Sequence, residues 1–127
     1  MTFPFEAQRG LIVVDAQLEG PNGTTILRLA LDTGATRSLV NVAMLVAAGY
    51  DPALAPQRIQ VTTGSGVEFA PQVLVKRLKA LGQERADFPV LAHTLPPSAG
   101  VDGLLGLDFL RTRTLVVDFR RGELQLT

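Results

Sequence analysis

The chain has 127 residues, 46% of them hydrophobic, with 12 Lys and Arg against 12 Asp and Glu; that predicts one domain over 1–127, since two halves would each have a marginal core. Balanced charge gives no attraction for nucleic acid or an anionic membrane surface, and no apolar run approaches the roughly 20 residues that span a bilayer. With no Cys and one His, disulfides, thiolate chemistry and a His-rich metal site are excluded, and no cofactor is expected.

The opening MTFPFEAQRG lacks a basic stretch followed by an apolar one, so no leader is expected and the cytoplasm is the expected location. Apolar runs at 11–18 and 25–31 flank Pro21-Asn22-Gly23 and predict a hairpin with a loop longer than two residues. Asn41 as N-cap and Gly49 as C-cap bracket a helix over 42–48, whose apolar residues suit packing on a barrel. Alternation at 57–63 and 67–69 around Gly64-Ser65-Gly66 predicts a second hairpin with a pliable tip. Segments 72–81 and 84–93 form a third pair around Gly82-Gln83, 94–100 is irregular, 106–111 makes one or two helical turns, and 115–119 with 123–126 close the chain as a hairpin. Many short strands with one or two short helices predict an all-β fold, a small closed or partly closed barrel.

Chemistry concentrates at Leu29-Ala30-Leu31-Asp32-Thr33-Gly34-Ala35. A carboxylate here sits where the backbone leaves a packed strand. Gly34 allows the main chain close to Asp32, so its N–H can hold the carboxylate; Arg37, five residues on, is a candidate cation partner. A second element, Val101-Asp102-Gly103-Leu104-Leu105-Gly106-Leu107-Asp108, is an apolar strand entering a short helix. Gly106 leaves room for another backbone to pass, and Asp108 falls in the helix's first turn, where its charge suits the dipole.

The pair of motifs, with a Gly-rich hairpin between them, resembles the retroviral-type (retropepsin-like) aspartic protease family over about residues 10–126, and is most like its cellular and bacterial branch. The resemblance implies a retropepsin-type barrel with a flap hairpin and a C-terminal helix. It also implies an aspartic endopeptidase in which a water is activated between two Asp-Thr-Gly aspartates. This chain carries one such tripeptide, so the resemblance implies a homodimer with Asp32 catalytic in each protomer. Thr33 and Gly34 would support the dyad. Gly34, Ala35, Leu104 and a flap tip of Gly64, Ser65 and Gly66 would contact a peptide or protein substrate, and Leu105 and Gly106 would support the site from behind. The hairpin at 115–126 would supply dimer contacts through its exposed edge. Two departures stand out: Thr36-Arg37 replaces residues that are often acidic in viral members, and Leu107 replaces an Arg. An alternative reading is a non-catalytic dimerisation or peptide-binding module with the same fold.

The remaining features read as structural. His93 ends an apolar run with no partner motif, Lys76-Arg77-Leu78-Lys79 reads as a solvated strand edge, and Tyr50 and Phe69 read as core or rim packing.

Overall fold

The computed structural model describes residues 1–63 and 66–127. Strict alternation over β2 (Val13–Gly20) buries Val14, Ala16 and Leu18 while Asp15 and Gln17 face out, the period that a strand with one face on a core requires. Its partner β3 (Gly23–Leu31) runs antiparallel in a ladder from Val13↔Ala30 to Gly20↔Gly23. Only Pro21 and Asn22 remain in the turn, so the loop is shorter than the sequence predicts. Gly23, at φ 106°, takes the left-handed residue into the strand itself and lets the ladder begin one residue sooner.

The other strands are β1 (Phe3–Pro4), β4 (Leu39–Asn41), β5 (Gln57–Thr63), β6 (Gly66–Ala80), β7 (Gln83–His93), β8 (Gly103–Leu105), β9 (Leu115–Asp118) and β10 (Glu123–Leu126). Pairings run β2-β3-β8-β4-β7-β6, and β6 returns to β2 through Ala16↔Ala80 to Glu19↔Arg77, closing a six-stranded barrel. The contacts β3–β8 and β4–β7 are parallel and the rest antiparallel. Strand β5 pairs with the distal part of β6 outside the ring. Gly103 makes the closure possible: a Cβ there would overlap the Leu39 carbonyl oxygen, and β8 must slot between β3 and β4.

Helix α1 (Val42–Ala48) has the predicted ends. The Asn41 side chain accepts from the Ala43 N–H at 3.2 Å, and Gly49 at φ 101° returns its N–H to the last turn. Leu45 and Ala48 seal the barrel. The second helix, α2 (Leu107–Leu110), drives Phe109 into the core. There Phe109 meets Phe88 edge-on at 5.8 Å, and Arg85 lies over its ring and donates to its carbonyl at 2.8 Å. Residues 94–100 are irregular apart from a 3-10 turn at Pro97–Ala99.

Four further expectations are corrected. The segments predicted at 67–69 and 72–81 are one continuous strand, because Pro71 sits opposite Arg58 in the ladder without breaking it. The next turn is Leu81-Gly82 rather than Gly82-Gln83, with φ of 53° and 76°, the paired left-handed geometry of a tight hairpin. The stretch Lys76–Lys79 is no edge, since Arg77, Leu78 and Lys79 pair with β2 on one side and β7 on the other; Lys76 and Arg77 ion-pair with Glu19 at 3.4 and 2.8 Å, and Leu78 is buried. Finally, β1 covers the outer side of β10, giving a small sheet β1-β10-β9 whose outer strands are β1 and β9. Tyr50 packs against the core as expected, its hydroxyl donating to the Glu19 carbonyl and accepting from the Lys76 N–H; Phe69 is exposed instead.

Candidate active site

Asp32 follows the last residue of β3, where Leu31 pairs in parallel with Leu105. Its N–H continues the ladder by donating to the Leu105 carbonyl at 2.9 Å. The chain then turns within three residues. The Gly34 N–H donates to Asp32 Oδ1 at 2.9 Å, and the Ala35 N–H donates to the Asp32 carbonyl at 3.2 Å. One carboxylate oxygen is thereby fixed by the backbone. Asp32 is half-buried, while Thr33 and Gly34 are exposed beside it.

The turn is braced from below. Ala35 and Thr36 offer their carbonyls to the N–H groups of Leu107 and Asp108 at 2.8 and 3.2 Å. Asp108 accepts from the Ser38 N–H at 2.9–3.0 Å, from Ser38 Oγ at 2.7 Å and from the Phe109 N–H at 2.8 Å. Ser38 Oγ in turn accepts the Gly106 N–H at 3.0 Å. Ser38 is fully buried and satisfied on every side. Gly106 packs so closely that a Cβ would lie 2.8 Å from the Ala35 carbonyl oxygen.

Above this base lies a cleft of about 660 Å³. Asp32, Gly34, Ala35, Thr36 and Arg37 line it from the turn; Leu39, Leu91, Leu95 and Leu104 give it apolar walls; Gln60, Val61 and Thr62 enter from β5, and His93 from the end of β7. A groove with leucine walls, a fixed carboxylate and a nearby strand edge suits an extended peptide better than a small polar metabolite.

The structure thus brings Asp32, Gly34, Ala35 and Leu104 into one cleft and puts Leu105 and Gly106 directly behind Asp32. Thr33 stands exposed at the tip of the turn. Gly66 opens β6 at φ 131°; the expected tip residues Gly64 and Ser65 lie outside the described residues. Arg37 forms no ion pair with Asp32. It donates to Gln72 Oε1 at 3.2 Å, and Gln72 Nε2 donates to Gln57 Oε1 at 3.1 Å. His93, read as structural from the sequence, lines the cleft with its Nε2 3.8 Å from Glu68 Oε2 on β6. The Ser38–Asp108 brace joins residues 70 apart, and no spacing rule could have paired them. Among the described residues no group of three His, Cys, Asp or Glu side chains could hold a metal ion, and no helix is long and apolar enough to cross a membrane.

Residues 20–112 match the model of the "gag-polyprotein putative aspartyl protease" family. The chain belongs to that family. The matched span holds the Asp32 turn, the cleft and α2, and leaves out the β1-β10-β9 sheet. Comparison with curated proteins gives no match. Among solved structures the fold is similar to a retropepsin-like aspartic protease from Rickettsia conorii, with TM-score 0.73 and 16% identity over 99% of this chain and 88% of that one. It is also similar to the retroviral protease-like domain of Ddi1 from Leishmania major, with TM-score 0.62 and 16% identity over 94% of this chain and 96% of that one. The retropepsin-like barrel expected from the sequence is therefore the observed fold.

Proposed function

We propose that this aspartyl protease family member is an aspartic endopeptidase that works as a homodimer, residues 1–127 forming one lobe and Asp32 of each protomer facing its mate across a two-fold axis. The observation that carries the reading is the Asp32 carboxylate, pinned by the Gly34 N–H at an open cleft in a chain with one Asp-Thr-Gly. Closed two-fold assembly is the simplest way for a single motif to become a pair.

Two carboxylates a few ångström apart share one proton and titrate as a unit. The ionised one takes a proton from a water held between them; the protonated one gives its proton to the scissile carbonyl oxygen as the water oxygen bonds to carbon. Collapse of the tetrahedral intermediate breaks the C–N bond, and the nitrogen leaves as an amine after taking a proton from the dyad. The Gly34 N–H keeps one Asp32 oxygen fixed, so that the other can turn to the water. Gly34 and Ala35 offer backbone to an extended substrate, Thr33 braces the dyad across the axis, and Leu104 lines an apolar subsite. The hairpin of β5 and β6 closes over the peptide as a flap and excludes water.

Asp32→Asn tests this. Sedimentation should still find the dimer, while cleavage of unstructured protein at mildly acidic pH should fall by at least ~10³-fold. Undiminished cleavage by the variant would refute the assignment, and binding of peptides without cleavage by the parent protein would point to the non-catalytic module.

A further inference from the structure

We infer that the cleft selects peptides with an acidic side chain near the scissile bond, and that Arg37 is the residue that reads it. The inference rests on the proteolytic reading above and narrows its substrate class.

Besides Asp32, the charged or chargeable side chains lining the cleft among the described residues are Arg37 and His93. Their situations differ. His93 already faces a carboxylate of the same chain, Glu68, at 3.8 Å. Arg37 has no carboxylate within ion-pair distance among the described residues. It is oriented by Gln72, whose amide is fixed in turn by Gln57. A neutral amide holds one arm of the guanidinium without cancelling its charge, and the rest of that planar fork matches a carboxylate.

The surroundings sharpen the choice. The other walls are leucines, a valine and short polar side chains, none of which competes for an anion. Arg37 is exposed in the free protein, where water screens it. A peptide lying in the cleft displaces that water and strengthens the pairing. The same charge repels Lys or Arg at that substrate position, so the selection works against one class as well as for another.

The test uses quenched peptides identical except for Glu, Gln or Lys placed in turn at each position flanking the scissile bond. At one position the parent protein should prefer Glu over Gln by about tenfold in kcat/KM, with Lys poorer still, and the margin should shrink as salt is raised. Arg37→Gln should erase the margin and Arg37→Glu should reverse it towards Lys. If Arg37 only ties the turn to β6, both variants will lower cleavage of all three peptides alike and leave the ratios unchanged; that result overturns the inference, as does a parent enzyme indifferent to charge at every position. Fluorescence anisotropy of the same peptides on Asp32→Asn protein, with and without Arg37→Gln, separates the two readings. Tighter binding of the Glu peptide that Arg37→Gln removes supports charge reading even if the parent never cleaves, whereas cleavage without charge preference keeps the protease and discards the role of Arg37.

Discussion

Ser38 is the only buried polar residue among the described ones, and it holds two segments together. Its hydroxyl donates to Asp108 and accepts from Gly106, tying the turn after Asp32 to the entrance of α2. Ser38→Ala leaves the Gly106 N–H without an acceptor in a closed space, which should cost about 1–3 kcal/mol. Asp108→Ala strips acceptors from the Ser38 and Phe109 N–H groups and should cost a similar amount. Because the two residues belong to one network, the double variant should lose less than the sum of the singles; urea unfolding of all four proteins measures this. The Gly34 N–H contact to Asp32 was legible in the sequence because the partners are two residues apart and glycine permits the approach. The role of Asp108 was not. Its position in the first turn suggested a charge favouring the helix dipole, while its strongest partner lies far away in the chain and leaves no periodic trace.

At the level of elements, the insertion of β8 between β3 and β4, and its exit beneath the turn after Asp32, bring backbones together with no room for side chains between them. Gly103 and Gly106 supply the gaps, with added Cβ atoms running into the carbonyls of Leu39 and Ala35. Neither carbonyl belongs to a flexible side chain that can swing aside, so Gly103→Ala and Gly106→Ala should each destabilise by about 1–3 kcal/mol or more. Gly10→Ala, which meets nothing within 4 Å, should leave the melting temperature nearly unchanged; thermal unfolding of the three variants compares them directly. Alternation and capping residues revealed β2, β3, β5, β7 and α1 because each is long enough to show its period or carries its own end signals. Segments 67–69 and 72–81 read as two strands, yet Pro71 lies within a ladder that tolerates it. Strand β1 went unseen since two residues have no period, and it changes which edges of the terminal sheet are open.

For the whole molecule, the decisive feature is how the barrel brings two distant motifs into register. Asp32 and Leu105 are joined by one hydrogen bond, a meeting implied by the resemblance to the protease family and by nothing in the spacing itself. The cleft's polar lining was harder to foresee: His93 acquires its partner Glu68 only when β6 and β7 lie side by side, and Arg37 meets Gln72 only when the turn after Asp32 comes to lie near β6. If each lobe contributes one carboxylate, cleavage must depend on assembly. Specific activity should therefore fall on dilution, with the rate approaching the square of protein concentration once monomer dominates. Progress curves over a dilution series, set beside sedimentation at the same concentrations, check this; constant specific activity in a monomeric range would contradict it.

Strand β6 runs unbroken for 15 residues, roughly 50 Å of extended backbone. Its first half builds the hairpin with β5 beside the cleft, and its second half is a stave of the barrel bonded to β2 and β7. A cover hung on a loose loop can swing without disturbing what lies beneath. Here the hairpin and the wall are one beam, so if the hairpin acts as the proposed cover, tilting it would load the ladders that close the ring, and a peptide held beneath it would also stiffen the far side of the protein.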